Sequence, residues 1–458
     1  MSVEVRPFGV SCNLKCPYCY QHPMRDAGNL TKPYDMEAMK AALEAEGQPF
    51  GLFGGEALLM PLEDMEELIA WGTRRFGSVS IQTNASLMTE AHIELFKRYR
   101  VGVGISLDGP DELNDSRWAG DLKKTREATA RSHWALRRLI DESKKGNLPV
   151  PSLIVTLHRG NASSERLPKL LEWILELDRM GLRHLNVHTL ETDHPLVAAR
   201  MALSDDETLA AMKSIADLMP SLENMTILPF DDIVKVLLGD DRHATCSWNA
   251  CDPWTTAAVR GVEGNGERSN CGRTNKDGID WFKADVSGYE RQIALYHTPQ
   301  EWGGCKGCRF FYACKGECPG TAIHGDWRNR SSHCRIWYGL MEHFEELLLR
   351  VGQQPLSRSR YLKELEHALL NVWATGRNAS VRDTLLWIQN GKIGPQPTYD
   401  GKSGHGDHWD GSWARSVGQE HGDSPHGDEH GDSWGTVRGH RVLGVAPVGK
   451  GWWKNASA

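Results

Sequence analysis

Eleven cysteines fall into two spacing sets, and their spacing is the first chemical information in this chain. Cys12, Cys16 and Cys19 are separated by three and then two residues, with Tyr18 just before the last. The other eight lie in the second half: Cys246, Cys251 and Cys271, then the dense run Cys305, Cys308, Cys314 and Cys318, and finally Cys334. A [4Fe–4S] cube takes one thiolate per iron. Three thiolates on one short loop therefore leave one iron open to another ligand, whereas eight are the number that saturates two further cubes. The alternative for the first set is a zinc knuckle or a redox dithiol. Structural zinc needs a fourth nearby donor, and His22 could supply it.

Composition narrows the setting. The N-terminal Met1–Val10 has neither a basic nor an apolar region of the kind a signal peptide carries, and no run reaches the roughly 18 apolar residues of a membrane span. A cytoplasmic, membrane-free protein is expected, and in that reducing compartment clustered cysteines read as metal ligands before disulfides. A formal charge of −7 with interspersed signs offers no basic stripe, so nucleic acid is not an expected partner.

The cysteines need a scaffold, and the chain from residue 2 to about 220 supplies one by alternating short β-rich runs with amphipathic helical stretches, the pattern of parallel βα units. The strands are expected at Val3–Phe8, Phe50–Phe53, Val79–Gln82, Val101–Leu107, Leu153–Leu157 and His184–His188. Helices are expected at Tyr34–Glu46, Leu62–Arg75, Thr89–Arg100 and Arg166–Met180, with another starting at Ser204, where Glu207 completes a capping box. Six units are too few to close an eight-stranded barrel. The fold class is thus α/β, a partial (β/α)6 TIM-type barrel over 1–222. A cysteine-rich domain over 223–345 follows, with metal bonds in place of a large core. After it come a small helical cap over 346–392 and a Gly/His/Asp/Trp-rich low-complexity tail over 393–458, too poor in aliphatic residues to build a core.

The run Cys12-Asn-Leu-Lys-Cys16-Pro-Tyr18-Cys19, placed after the first strand, resembles the signature of the radical S-adenosylmethionine (radical SAM) superfamily. The resemblance implies that SAM chelates the open iron and that one electron cleaves it to a 5′-deoxyadenosyl radical. It extends to Gly54-Gly55-Glu56, which follows Cys19 by about 35 residues and resembles the family segment that receives the methionyl amine; Ala57 stands where the family usually has proline. By the same resemblance Tyr18, Thr83, Asn84, Ser106, Asp108, Arg117 and Thr156 belong to the SAM site, Arg117 pairing with the SAM carboxylate. Thr156 lies in the adenine-contacting segment, and Asn161 follows in its loop. His188 and Glu191, ending the sixth strand, are the candidate catalytic residues.

The second half resembles the SPASM domain of peptide-modifying radical SAM enzymes: Cys251, fourteen residues, Gly266, four residues, Cys271, then the closing set. The resemblance implies two auxiliary [4Fe–4S] clusters, one on Cys246, Cys251, Cys271 and Cys318, the other on Cys305, Cys308, Cys314 and Cys334. Cys246 is an addition to the family pattern, and without it the first auxiliary cluster would keep an open iron. In sulfatase-maturating members an aspartate follows the third cysteine and acts as base; here Gly272 follows Cys271, which argues against that chemistry. The first strand begins at residue 2, so no leader-binding domain is expected before it, and a separate leader-binding protein is a possible partner. The expected activity is oxidative modification of a peptide or protein by hydrogen abstraction and cross-linking through C–C, C–S or C–O bonds, as in ribosomal peptide maturation, with flavodoxin or ferredoxin as electron donor. The rivals are dehydrogenation of a small molecule and, from another class, a non-catalytic iron–sulfur electron carrier. Five His-x-Asp tripeptides (His405–Asp407, His408–Asp410, His421–Asp423, His426–Asp428 and His430–Asp432) read either as a weak metal-binding tract or as a peptide substrate carried in cis.

Overall fold

The computed structural model describes residues 3–22, 33–191, 194–253, 260–274 and 288–398. The His-x-Asp tripeptides lie outside the described residues.

Nine strands form a single sheet: β1 (Val3–Arg6), β2 (Phe50–Leu52), β3 (Val79–Thr83), β4 (Gly102–Ser106), β5 (Ser152–Leu157), β6 (His184–Thr189), β7 (Thr226–Leu228), β8 (Arg260–Glu263) and β9 (Arg268–Asn270). Their order is β7-β6-β5-β4-β3-β2-β1-β8-β9, parallel except for the β8–β9 pair. The strands alternate by face as a pleated strand must. Val3, Val5, Phe50, Leu52, Val79, Ile81, Val103, Ile105, Leu153, Val155, Leu185 and Val187 join the hydrophobic core. Their neighbours Glu4, Gln82, Ser106, Thr156, Asn186 and His188 instead line the cavity described below. Two opposite faces of one sheet thus do two jobs.

The principal helices are α1 (Met36–Glu46), α2 (Leu62–Phe76), α3 (Glu90–Tyr99), α4 (Leu122–Lys144), α5 (Leu167–Arg179), α6 (Asp205–Ala216), α7 (Phe230–Leu237), α8 (Glu290–His297), α9 (Cys334–Arg350), α10 (Leu362–Trp373) and α11 (Val381–Gln389). The capping box at the start of α6 is present: Ser204 Oγ accepts from Glu207 N at 3.2 Å and Ser204 N donates to the Glu207 carboxylate at 2.8 Å. Helix α4 was not expected from the sequence. It starts where the Asp121 side chain accepts from Lys124 N, and the first half of its buried face is Thr125, Thr129 and Ser132, so the apolar period of an amphipathic helix is hidden.

The sheet also exceeds the expected six strands. Strand β7 (three residues) lies beyond the expected barrel boundary at 222. Strands β8 and β9 come from the cysteine-rich region, whose β8 pairs with β1 from Val3↔Arg260 to Arg6↔Glu263. The second half is therefore stitched to the first by a backbone ladder. Buried Arg6 reinforces the seam by donating to Ser269 Oγ and Asn270 O and pairing with Glu263. The sheet ends at β7 and β9, which do not pair with each other, so it is open, as a partial barrel should be.

The second half is organised by two buried cations. Arg291, only 1% exposed, donates to the carbonyl oxygens of Cys251, Gly316, Glu317, Trp327 and Asn329, satisfying loop carbonyls that have no ladder partner. Lys315 Nζ pairs with Asp241 at 2.7 Å and donates to Trp248 O at 3.1 Å, while Asp241 also accepts from Val381 N at the start of α11. Removing one partner of a buried pair leaves the other charge uncompensated, at a cost of about 3–5 kcal/mol. Lys315→Met is expected to lose that much stability in chemical denaturation, more than Lys124→Met, whose exposed pair with Asp121 is worth about 1 kcal/mol at most. Among the described residues no helix is long and apolar enough to cross a membrane.

Candidate functional site

All eleven cysteines stand as thiols rather than disulfides. Cys12, Cys16 and Cys19 lie on the loop leaving the carboxyl end of β1, and local bonds fix its path: Cys19 N donates to Cys16 O at 3.1 Å and Lys15 N to Trp118 O at 2.7 Å. His22 Nε2 bonds to Cys16 O at 2.7 Å, so that nitrogen is engaged by the backbone. Among the described residues no three Cys, His, Asp or Glu side chains close on a point that one metal ion could fill. The three thiols instead open on a cavity.

The loop after β2 presses against this cysteine loop. Gly55 N donates to Gly9 O and Glu56 N to Ser11 O, and a Cβ on Gly55 would sit 2.0 Å from Ser11 O, while Gly54 has φ +115°. No side chain fits there. Gly55→Ala is expected to push the cysteine loop outward, an overpacking cost of about 1–3 kcal/mol, and to reduce iron retained after reconstitution.

Two buried carboxylates tie the loops together. Glu56 accepts from Leu58 N, Thr83 Oγ1 and Asn84 N at 2.9, 2.5 and 2.8 Å, and Asn84 in turn donates to Asn13 Oδ1 inside the cysteine loop at 2.9 Å. Asp108, fully buried, accepts from the Tyr18 hydroxyl, from Arg117 at 3.0 Å and from Thr156 N at 3.0 Å, with His158 Nε2 3.5 Å away. Burial alone would raise its pKa, but Arg117, His158 and Tyr18 outweigh it and hold the carboxyl well below its ordinary range. Neither carboxylate is on the cavity wall; the wall carries Tyr18, Gly54, Gly55, Thr83, Asn84, Ser106, Arg117 and Thr156. Arg117 Nε is buried with no hydrogen-bond partner, a spare donor beside the cysteine loop.

That cavity, about 320 Å³, also reaches the second half: its wall includes Cys246, Cys271, Gly272, Arg273, Glu317, His333 and Trp337 together with His188 and Glu191 from the end of β6. Arg273 pairs with Glu191 at 2.7 Å and reaches His188 Nδ1 at 3.2 Å. Burial, with the Arg273 guanidinium beside it, pushes the His188 imidazole down to about 3. The ring is neutral near pH 7, and with Nδ1 facing a guanidinium its proton resides on Nε2. Arg273, Glu4 and Tyr20 on this wall were not foreseen. Glu4, in the alternation of β1, and Asn186, in that of β6, could have been found as polar residues at inward positions of apolar strands; Arg273 had no signal beyond its place two residues after Cys271.

The other second-half cysteines gather as follows. Burial, against the opposing charge of Arg273 and with smaller additions from Glu317, Glu191 and Cys271, pushes the Cys318 thiol well above its ordinary value. Cys251 is buried, its carbonyl held by Arg291 and Gln292. Cys305, Cys308, Cys314 and Cys334 line one small cavity of their own. Burial first, and then the neighbouring thiols Cys308 and Cys334, push Cys305 up to about 12.

A family model described as the radical SAM superfamily matches residues 7–165. The cysteine-type anaerobic sulfatase-maturating enzyme of Clostridium perfringens is 32% identical over 129 residues, 25% of this chain and 35% of that protein. The antilisterial bacteriocin subtilosin biosynthesis protein AlbA of Bacillus subtilis is 33% identical over 114 residues, 23% of this chain and 24% of that protein. The chain thus spans about a third or less of these curated relatives. The solved structure of native anSMEcpe with bound AdoMet superposes with a TM-score of 0.54 at 20% identity, covering 76% of this chain and 98% of that one, which is a likeness of fold. The loop of three cysteines, the Gly54-Gly55 approach and the parallel sheet behind them all fall within or beside the matched stretch, and residues 7–165 of this chain are a radical SAM domain.

Proposed function

We propose that this chain reductively cleaves SAM and uses the 5′-deoxyadenosyl radical to oxidise a peptide or protein, removing two hydrogens and closing a C–C, C–S or C–O bond. A [4Fe–4S] cluster bound at Cys12, Cys16 and Cys19 would supply the electron for that cleavage, and three thiols on one loop at a cavity wall are a donor set suited to it. Gly54, Gly55, Thr83, Asn84, Ser106, Thr156 and Tyr18 would form the SAM seat. Arg117, with its spare Nε–H, suits a carboxylate. Glu56 and Asp108 would act from behind, holding Thr83, Asn84, Tyr18 and Arg117 in place. At the far side, His188, neutral, and Glu191, paired with Arg273, would orient the substrate. Cys246, Cys251, Cys271 and Cys318 would hold one auxiliary cluster and Cys305, Cys308, Cys314 and Cys334 another, taking the electron released when the substrate is oxidised.

The observation that carries this reading is that Cys12, Cys16 and Cys19 and the second-half Cys246 and Cys271 open on the same cavity. A substrate between them can lose its hydrogen atom at one end and its electron at the other. Gly272 supports oxidation other than sulfatase maturation, since it leaves no acidic side chain after Cys271; a Cβ there would lie 3.0 Å from the Tyr20 hydroxyl, which would have to give way. Cytoplasmic flavodoxin or ferredoxin suits the reduction, and a separate leader-binding protein could deliver the peptide. The test is anaerobic reconstitution, iron counting and 5′-deoxyadenosine formation with and without synthetic peptides from short genes beside this one. About twelve irons per chain, SAM cleavage stimulated by a peptide and a product lighter by two hydrogens are expected. Stimulation by small molecules alone, or no cleavage by fully loaded protein, overturns it.

A further inference from the structure

The small cavity bounded by Cys305, Cys308, Cys314 and Cys334 contains a second observation besides the thiols. Its remaining wall is largely apolar, with Phe310, Phe311 and Met341. Two buried donors nevertheless stand on it without an acceptor: Arg330 Nε and Trp337 Nε1 have no hydrogen-bond partner. Both side chains are otherwise fixed. Arg330 uses its terminal nitrogen on the carbonyls of Gln300 and Gly304 at 2.6 and 2.5 Å. Trp337, 6% exposed, stands one helical turn after Cys334 on α9 and packs edge-on against Trp248, ring centroids 5.5 Å apart. The carboxylate on this wall, Glu317, accepts from Thr321 Oγ1 at 3.1 Å and from neither donor. Each buried unmet N–H costs about 1–3 kcal/mol, so two on one wall leave a place for an acceptor held inside the cavity.

We propose that Arg330 and Trp337 are the hydrogen-bond donors to the sulfur atoms of the cluster held by Cys305, Cys308, Cys314 and Cys334, and that they raise its reduction potential so that it serves as the outlet for the substrate electron. This rests on the reading of the second-half cysteines as auxiliary cluster ligands. A donated N–H and a nearby positive charge both stabilise the more negative, reduced cluster, and hydrogen bonds to sulfur are among the factors that set iron–sulfur potentials. Trp337 also reaches the wall of the large cavity, so the residue that would tune the outlet stands between the two compartments.

The test is a redox titration of the reconstituted full chain, followed by electron paramagnetic resonance, for wild type, Trp337→Phe and Arg330→Lys. Trp337→Phe keeps an aromatic ring and removes the N–H; Arg330→Lys keeps the charge and removes Nε–H. In each variant the potential of one cluster should fall, by roughly tenfold in its reduction equilibrium or about 59 mV for one electron, with the other two clusters unmoved and the iron count equal to wild type. Unmoved potentials in Trp337→Phe with full iron overturn the proposal, as does a shift confined to the cluster of Cys12, Cys16 and Cys19. If Arg330→Lys loses iron, Trp337→Phe decides alone. A wild-type chain with only about four irons would instead fail the underlying reading, a different result from a fully loaded chain with unmoved potentials.

Discussion

Cys16→Ala is expected to abolish 5′-deoxyadenosine formation and to lower the iron content by about four atoms per chain, leaving the second-half clusters in place. Two thiolates on the loop cannot hold a cube against loss. Burial, opposed by Arg117, pushes the Cys16 thiol up to about 12, so it would stay protonated without a metal to stabilise the thiolate, and loading the site should release protons. Iron counting and chromatographic detection of 5′-deoxyadenosine check both parts. A Cys16→Ala protein that cleaves SAM at the wild-type rate would remove the first cluster from the proposed chemistry.

Asp108→Asn is expected to destabilise the domain by about 3–5 kcal/mol and to weaken SAM binding at least tenfold. Arg117 would be left a buried cation without its counter-charge, and the carboxylate that joins Tyr18, Arg117 and the β5 backbone would be gone. The two residues Asp108 holds on the cavity wall would lose their setting. Folding lowers the Asp108 pKa from an unfolded value of about 3.9. Its contribution is therefore fully present above about pH 4 and fades as pH falls below that. Denaturation midpoints of wild type and Asp108→Asn should differ most near neutrality and converge on acidification. A difference independent of pH would assign the loss to packing instead.

Part of this protein could be read without coordinates. The βα alternation, the capping box at Ser204, and the placement of Cys12 to Cys19 after the first strand are local properties, set by periodicity and turn chemistry over a few residues. Helix α4 escaped because Thr125, Thr129 and Ser132 fill buried positions that aliphatic residues usually mark, and β7 to β9, no longer than β1 and β2, escaped because they lie beyond the stretch of alternating β-rich and helical runs. Arg273 escaped for a different reason: its partners Glu191 and His188 lie more than 80 positions away, and no spacing rule spans that distance.

The eleven cysteines show the same division. Their number, their grouping into three and eight, and hence the ligand chemistry they could support were legible in the chain alone, because thiolate count and loop length are written directly in it. The folded chain was needed to show that Cys246 and Cys271 share a cavity with the first three while Cys305, Cys308, Cys314 and Cys334 enclose another. It was needed equally to place Glu56 and Asp108 behind the wall and to leave Arg330 and Trp337 with unmet donors. Those facts depend on which distant segments meet, and here that is set by a β1–β8 ladder joining residues more than 250 positions apart. The hydrogen bonds of such a ladder run between main-chain N–H and C=O groups that nearly every residue carries, so no single residue type marks the partner.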